Sequence, residues 1–251
     1  MNIGLVIIGD EILSGRRKDR HLEKSIDISH ARGLKIEWVN YLPDSPELLR
    51  KTFERTLGSE DTVFSFGGIG ATPDDYTRQS VADALGLDIV VHPEAKQEIE
   101  NQFGVDAYPN RIKMGMFPEG SRIIPNEFNR IPGFSIQHHH FLPGFPSMAW
   151  AMMEWVLDNE YAVHHVVDRD IERSILILDL PESTLIPLMD ACLDKYPGCK
   201  VFSLPTLTAE RLRRVELGVK GRQEVVDEAF ICLQKMVNRL DCEWSELPPR
   251  L

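Results

Sequence analysis

The sequence predicts an α/β fold in which a mostly parallel sheet carries helices on both faces and is followed by a small α+β domain of the split βαβ type. Strand and helix patterns alternate through the first part of the chain, which is typical of a parallel sheet covered by helices. After about residue 160 the strand patterns come in pairs instead. The 251 residues are enough for two domains, which we place at residues 1–165 and 166–251.

The elements of the first domain are predicted from apolar strand patterns and from signals that begin and end helices. The run Ser45-Pro46-Glu47 combines a capping serine, a proline at the first helical position and an acid at the positive end of the helix dipole. Gly33, Gly58 and Gly86 follow the ends of three helical patterns. Residues 104–135 are rich in Gly, Pro and Asn and give few periodic signals. Strands are predicted at 2–8, 34–41, 62–66, 87–91 and 136–142, and helices at 18–31, 46–57, 77–85, 93–103 and 147–159.

The second domain shows two strand patterns before each helical pattern. This β-β-α-β-β-α order resembles a small split βαβ sandwich. The predicted strands are 163–167, 175–180, 200–204 and 213–219, and the predicted helices are 184–195 and 223–240.

The run from Gly67 to Thr77 is the strongest functional signal in the chain. Three glycines, Gly67, Gly68 and Gly70, follow a strand, and two carboxylates, Asp74 and Asp75, precede a helix. Bare backbone N–H groups beside a helix N-terminus suit a phosphate, and the adjacent acids suit a divalent metal that is shared with it.

Hydroxyls at Thr72 and Thr77 could donate to the same phosphate. The alternative is a simple glycine turn with Asp74 as the helix cap.

A second polar loop, Gly9 to Gly15, follows the first predicted strand. Asp10 or Glu11 could orient a water or a metal, while Ser14 and the backbone at Gly15 could contact a phosphate. The alternative is a solvated connection between strand and helix. Because ligands of parallel sheets bind at the carboxyl ends of the strands, we expect this loop to share a crevice with the glycine run.

A third loop, Pro143 to Ser147, ends another apolar strand and opens a helix. Pro143, Gly144 and Ser147 are predicted to form a further anion site at that helix N-terminus. The alternative is a rigid turn in which Ser147 caps the helix.

Four carboxylates in these loops, Asp10, Glu11, Asp74 and Asp75, are the candidate catalytic groups. Asp75, with Asp10, is predicted to hold Mg²⁺ or another divalent cation. Asp74 or Glu11 is the candidate proton acceptor.

Other polar clusters give weaker signals. Neighbouring side chains of a strand point to opposite faces, so only His138 and His140 of the triple histidine could share a metal. Arg111 and Lys113, on a predicted helix, could attract phosphate or form a solvated face. None of the four cysteines has C-x-x-C spacing, so neither zinc nor a redox motif is indicated.

Composition excludes several classes of protein. A net charge of −11 argues against an extended nucleic-acid surface, which would be basic. No apolar run approaches the roughly 18 residues of a membrane span. The apolar N-terminus lacks a basic start and is predicted to be a buried strand and not a signal peptide. A cytoplasmic protein with no membrane partner is expected.

The three loops together resemble the molybdopterin-binding (MoaB/MogA-like) domain family, and most closely the N-terminal domain of CinA (competence/damage-inducible) proteins. The resemblance covers about residues 1–160, and residues 170–240 more faintly resemble the small domain that follows in CinA. It implies a three-layer α/β fold with a ligand site built from these loops. The motifs that carry it are Gly9–Arg16, Gly67–Arg78 and Leu142–Met148, with Asn110-Arg111 and Phe117–Gly120.

The resemblance leaves more than one activity open. Some family members bind molybdopterin, adenylylate it or insert its metal, whereas CinA-type members are similar to metal-dependent hydrolases of nucleotide pyrophosphates such as ADP-ribose or FAD. We therefore expect a phosphorylated pterin or nucleotide as ligand, with hydrolysis, adenylyl transfer or binding alone as the alternatives. The family also implies a homo-oligomer, either a dimer or a trimer.

This chain departs from the family pattern at three places, one of which is near Phe66, where the family often has a hydroxyl residue. Ala71 stands where the family often has proline. The segment Arg17–His21 replaces a short Thr-Asn element of CinA members and adds cations near the mouth of the expected pocket.

Overall fold

The computed structural model describes residues 1–166, 170–207 and 213–249, and it divides into two units, Met1–His165 and Val166–Leu251. Each unit has its own sheet and its own hydrophobic core. The predicted fold class is confirmed: the first unit is a three-layer α/β fold with a mainly parallel sheet, and the second is a small α+β fold.

A six-stranded sheet forms the centre of the first unit. Its strands and those of a small separate pair are β1 (Ile3–Ile8), β2 (Ile36–Leu42), β3 (Thr62–Phe66), β4 (Ile89–Val91), β5 (Met116–Pro118), β6 (Arg122–Ile124), β7 (Gly133–Ile136) and β8 (His139–Leu142). The sheet order is β2-β1-β3-β8-β7-β6, and the first four strands run parallel. β7 and β6 each pair antiparallel with their neighbour, and β4 pairs with β5 outside this sheet.

Helices cover both faces of this sheet, because the side chains of β1 alternate between two cores. The helices are α1 (Asp10–Leu13), α2 (His21–His30), α3 (Pro46–Leu57), α4 (Thr77–Leu85), α5 (Pro93–Phe103) and α6 (Pro146–Glu160). Ile3, Leu5 and Ile7 pack in one core with residues of α2 and α6. Val6 and Ile8 pack in the other core with residues of α3, α4 and α5.

The predicted single strand at 136–142 is wrong, because the chain reverses within the histidine run. β7 and β8 form an antiparallel hairpin, and Gln137 at its turn has a φ of 52°. His138 is exposed, whereas His139 and His140 are buried in β8. The prediction that His138 and His140 share one face of a strand therefore fails.

The second unit is an antiparallel sheet with two helices. Its elements are β9 (Asp170–Leu178), α7 (Ile186–Lys195), β10 (Cys199–Leu207), β11 (Arg213–Arg222), α8 (Gln223–Val237) and β12 (Trp244–Glu246). The sheet order β10-β11-β9-β12 is that of a split βαβ fold, as predicted.

The predicted order of its elements is shifted by one strand. Where a strand was predicted at 163–167, Ala162–His164 form a short 3₁₀ helix and Val167 lies outside the described residues. The sheet is completed instead by β12, which pairs antiparallel with β9. Across the described ranges, no helix combines the length and apolar character needed to cross a membrane.

Candidate functional site

A cavity of about 360 Å³ lies where the loops leave the carboxyl ends of the parallel strands of the first unit. All three loops that the sequence singled out contribute to it. The lining residues are Ile8, Gly9, Glu11, Arg17, Asp44, Gly67, Gly68, Ile69, Gly70, Ala71, Thr72, Asp74, Asp75, Met114, Asn126, Asn129, Ile131, Pro132, Pro143, Gly144, Phe145 and Met148. A volume of this size suits a small-molecule ligand.

The glycine loop, Gly67–Asp75, approaches the neighbouring strands too closely for a side chain at its first position. Gly67 has a φ of 101°, and a Cβ atom there would lie 2.6 Å from the carbonyl oxygen of Ile8. Its N–H donates to the Leu142 carbonyl at 3.0 Å. Gly67 is therefore fixed between the ends of β1 and β8, with its backbone on the cavity.

Thr77 fastens the glycine loop from behind. Its hydroxyl donates to the Gly67 carbonyl at 3.0 Å, and its N–H donates to the Gly68 carbonyl at 3.0 Å. A Cβ atom on Gly68, whose φ is 69°, would lie 2.2 Å from that hydroxyl oxygen. Thr77 is fully buried and does not line the cavity. Its hydroxyl holds the loop in place and does not face a ligand, contrary to the prediction.

The far end of the glycine loop is closed by side chains. Asp75 Oδ2 accepts hydrogen bonds from the N–H of Thr72, at 2.8 Å, and from the Thr72 hydroxyl. The guanidinium of Arg78 donates to the carbonyls of Gly70 and Lys113, and burial lowers its pKa. Thr72 and Asp75 line the cavity together with the exposed Asp74, as the sequence predicted.

The Gly9–Gly15 loop places only part of its predicted set on the cavity. Gly9 and Glu11 line it, and the Gly9 N–H donates to the Leu42 carbonyl at 3.1 Å. Asp10 instead exchanges hydrogen bonds with Asp44, through its own N–H at 3.0 Å and its Oδ1 at 3.3 Å.

Ser14 and Gly15 do not contribute to the cavity. Both are exposed in the turn that follows α1, so the predicted contacts of Ser14 and Gly15 with phosphate have no place in this arrangement. Arg17, just beyond them, does line the cavity, and its guanidinium Nη1 lies 3.8 Å from Glu11 Oε1.

Asp44 is a cavity residue that sequence reasoning missed. Partial burial raises the pKa of its carboxyl, and the nearby charges of Asp10, Glu11 and Asp74 raise it further. The usable signal was its position two residues after the end of β2, because β2 is parallel to β1 and ends at the same edge of the sheet.

The carboxylates do not form a ready-made metal cage. Within residues 1–166, 170–207 and 213–249, no group of three or more His, Cys, Asp or Glu side chains is arranged to hold a metal ion. Mg²⁺, however, is commonly bound by one or two carboxylates together with ligand phosphates and water. Asp75, which lines the cavity, fits that type of binding, whereas Asp10 does not line the cavity and its Oδ1 accepts from the Asp44 N–H.

The buried histidines belong to the core and not to a metal site. His140 contacts the Ser135 hydroxyl at 2.8 Å and the Tyr161 hydroxyl at 2.9 Å, and His139 contacts the Thr56 hydroxyl at 2.9 Å. Burial lowers the pKa of His139 to about 4 and that of His140 to about 3.

The two cations singled out at 111–113 do not line the cavity. They lie on a 3₁₀ helix, Arg111–Gly115. Arg111 donates to the Asp106 carbonyl at 2.7 Å, and Lys113 donates to the Asn110 side chain at 3.2 Å. Met114 is the residue of this helix that lines the cavity.

The third loop contributes Pro143 and Gly144, as predicted, and also Phe145 and Met148. Helix α6 begins at Pro146 with Phe145 in the capping position, so Ser147 lies inside the first turn, exposed and off the cavity. The predicted anion contact of Ser147 is therefore not supported by its position.

His21 supports this loop from outside the cavity. It is buried, its ring stacks on Phe66 at 4.5 Å between centroids, and its Nε2 donates to the Gly144 carbonyl at 3.4 Å. Burial lowers its pKa.

A fourth wall, the asparagine loop Asn126–Pro132, was not predicted. Asn126, Asn129, Ile131 and Pro132 line the cavity from a segment without periodic pattern. The only sequence signal was its content of Asn and Pro, which marks a loop but not its partners.

Comparison with known proteins assigns the part of the chain that forms the cavity to a family. The family model described as a probable molybdopterin binding domain matches residues 4–163. The chain belongs to this molybdopterin-binding domain family. Every residue that lines the cavity, from Ile8 to Met148, lies within the matched range.

Relatives of this molybdopterin-binding domain protein include CinA-like proteins, which confirms the resemblance seen in its motifs. A CinA-like protein of Anaeromyxobacter dehalogenans is 33% identical over 165 residues, 62% of this chain and 40% of that protein. A protein of Aeropyrum pernix is 29% identical over 235 residues, 90% of this chain and 87% of that protein. The chain thus spans less than half of the CinA-like relative but most of the archaeal one.

A solved structure supports the same assignment. The crystal structure of the protein CinA with unknown function from Thermoplasma acidophilum matches with a TM-score of 0.58 and 26% identity. The match covers 63% of this chain and 98% of that chain.

Proposed function

We propose that the cavity binds a phosphorylated pterin or nucleotide, with its phosphates against the backbone of the glycine loop. The observation that carries this proposal is the position of Gly67, Gly68 and Gly70. They line a ligand-sized cavity at the carboxyl ends of parallel strands and precede the N-terminus of α4. Membership in the molybdopterin-binding domain family supports the same class of ligand.

The charge of the cavity supports the participation of a divalent cation. Glu11, Asp44, Asp74 and Asp75 line it, and Arg17 is the one cation among the lining residues that the structure describes. Phosphate oxygens would be repelled by these carboxylates unless Mg²⁺ or a similar ion, held through Asp75, stood between them. When bound, such an ion lowers the pKa of a water and stabilises charge on phosphate oxygens.

The activity that we propose is hydrolysis of a phosphoanhydride, as in nucleotide pyrophosphates of the ADP-ribose or FAD type. The glycine loop would bind the phosphates through N–H groups that also stabilise the charge that develops on their oxygens. Glu11 or Asp74, both on the cavity, would accept the proton of the attacking water.

A second candidate is a protein that binds molybdopterin or a nucleotide without hydrolysing it, or that transfers an adenylyl group to it. One observation favours this alternative: Asp75 Oδ2 already accepts two hydrogen bonds from Thr72. A carboxylate used in this way could serve mainly to shape the loop.

The test is a ligand-induced thermal shift with ATP, ADP-ribose, FAD and a phosphorylated pterin, each with and without Mg²⁺. Products are then separated by chromatography. A metal-dependent shift with ADP-ribose or FAD and release of AMP supports hydrolysis, whereas a shift with pterin and no product supports the second candidate.

The matched variants for this assay are Asp75→Asn and Asp88→Asn, the second being an exposed acid outside the cavity. We expect Asp75→Asn to abolish turnover and Asp88→Asn to leave it unchanged. Full activity in Asp75→Asn would rule out the proposed role of Asp75.

A further inference from the structure

The asparagine loop brings two amides into the lining of the cavity, together with apolar side chains. Ile131, Met114 and Met148 contribute to this lining, and so does Phe145, which is 62% exposed. Apolar and aromatic walls with a few placed polar groups are typical of sites that hold a flat ring.

Asn126 serves as the framework of the loop, since its side-chain nitrogen and oxygen both form hydrogen bonds within it. Its Nδ2 donates to Asn129 Oδ1 at 2.9 Å and to the Ile131 carbonyl at 3.0 Å. Its Oδ1 accepts from the Phe128 N–H at 3.1 Å. Only 6% of the residue is exposed, and both hydrogens of its Nδ2 are already donated, so Asn126 has no side-chain donor left for a ligand.

Asn129 is held by the same network in one orientation. Its Oδ1 accepts from Asn126 Nδ2 and from the Ile131 N–H, the latter at 3.0 Å. A backbone N–H can only donate, so the oxygen of the Asn129 amide must face Ile131 and the nitrogen must face the other way.

The nitrogen of Asn129 has a poor partner. Nδ2 lies 3.6 Å from the Sδ atom of Met148, and a thioether is a weak acceptor. In the part of the chain that the structure describes, this nitrogen has no other acceptor, although it carries two hydrogens. An under-used donor in a cavity wall favours a ligand that supplies an acceptor.

We propose that Asn129 is a specificity-determining residue, which donates a hydrogen bond from Nδ2 to an acceptor on the edge of the ligand's heteroaromatic ring. The acceptor would be a ring nitrogen or an exocyclic carbonyl oxygen, with the ring against the apolar lining. This inference rests on the proposed function of the cavity, because it concerns the ring of the ligand whose phosphates the glycine loop would bind.

Pterins and purines both present such acceptors. The two kinds of ring are distinguished by testing a phosphorylated pterin and ADP-ribose side by side. Inorganic pyrophosphate serves as a probe that has phosphates but no ring. Binding is measured by isothermal titration calorimetry in Mg²⁺ on the full chain, and chromatography of each sample after the titration verifies that the probe is still intact.

The main variant is Asn129→Asp, which keeps an oxygen facing Ile131 and Asn126 but removes the donor. Asn129→Ala removes the donor without adding charge, and Asn159→Asp adds the same charge at an exposed position on α6. We expect both Asn129 variants to lower the affinity for a ring-bearing probe about three- to tenfold more than the affinity for pyrophosphate. This factor corresponds to the loss of one hydrogen bond. Asn159→Asp should change neither.

Two results would overturn the inference while leaving the phosphate site intact. One is an equal loss of affinity for the ring-bearing probes and for pyrophosphate in both Asn129 variants. The other is a wild-type chain that binds pyrophosphate but neither ring-bearing probe. If the wild-type chain bound none of the three probes, the proposed function would be rejected and this inference with it.

Discussion

The glycine loop and the asparagine loop line the same cavity but are built in different ways. The glycine loop is shaped by its backbone, because Gly67 and Gly68 take positive φ angles and a Cβ atom on either would collide with the Ile8 carbonyl or the Thr77 hydroxyl. The asparagine loop is shaped by side chains, through the amides of Asn126 and Asn129. A loop of the first kind excludes any added side chain, whereas one of the second kind depends on a few amides and leaves other positions free.

The largest expected effect comes from a methyl group on the glycine loop. Gly67→Ala would place a Cβ atom 2.6 Å from the Ile8 carbonyl oxygen, at a φ of 101°. Both backbones are fixed in the sheet, so we expect a loss of about 3 kcal/mol in the free energy of unfolding and no ligand-induced thermal shift. Urea denaturation measures the first quantity.

Gly15→Ala is the matched control for this change. Gly15 also has a positive φ, 73°, but nothing lies within 4 Å of the added carbon. It should cost about 1 kcal/mol from backbone strain alone. Equal losses in the two variants would mean that close approach to Ile8 is not what demands glycine at position 67.

Acid should destabilise the hairpin of β7 and β8, which follows the asparagine loop, because it contains two buried histidines. Burial holds the pKa of His139 at about 4 and that of His140 at about 3, below the usual value for histidine. Below about pH 6.5 the unfolded chain takes up protons that the folded chain refuses, so stability falls as the pH drops toward 4. The loss is up to about 1.4 kcal/mol per pH unit for each histidine.

This pH dependence is measured by urea denaturation between pH 7 and pH 4.5. His140→Gln should flatten the profile, and His138→Gln, at an exposed position, should leave it as in the wild type. The idea fails if His140→Gln keeps the wild-type slope. Because His140 contacts Ser135 of β7, the strand that continues the asparagine loop, that loop should become accessible to protease first.

A smaller loss of unfolding free energy is expected when the Thr77 hydroxyl, which supports the glycine loop from behind, is removed. Thr77→Val keeps the shape of the side chain but removes the donor to the buried Gly67 carbonyl. We expect a loss of about 1–2 kcal/mol in unfolding free energy, together with weaker ligand binding. Thr52→Val, at a half-buried position on α3, is the control, and a similar loss there would remove the special role of Thr77.

The smallest effect is expected at Phe128 in the asparagine loop. The residue is 72% exposed, and the hydrogen bond that its backbone N–H donates to Asn126 Oδ1 would remain in Phe128→Ser. The unfolding free energy should stay within about 0.5 kcal/mol of the wild type. A larger change, seen by thermal or urea denaturation, would show that the ring and not only the amides supports the loop.

Local signals explain which elements could be predicted from the sequence. The structure has helices at Pro46–Leu57, Thr77–Leu85 and Pro93–Phe103 and a strand at Thr62–Phe66, all at their predicted bounds. Proline and glycine mark those ends through the backbone angles that they allow, and this depends only on neighbouring residues. The second unit was harder, because β12 is three residues long and is defined by its pairing with β9.

The same reasoning separates the predicted site residues from the missed ones. The glycine loop was visible because glycines and acids stand together in the sequence. Asp44 reaches the cavity only through the parallel pairing of β2 with β1, and the amides of Asn126 and Asn129 act through contacts that no periodicity reports. The hairpin at Gln137 was hidden because two strands joined by a two-residue turn look like one apolar run.

Two hydrogen bonds at the strand ends have a consequence for the energetics of recognition. The N–H groups of Gly9 and Gly67 donate to the carbonyls of Leu42 and Leu142, so the hydrogen-bond ladder of the sheet continues one residue into each loop. The start of each loop is therefore part of the rigid sheet. A ligand bound there would meet groups that are already ordered, and preorganisation of this kind reduces the entropy that is lost on association.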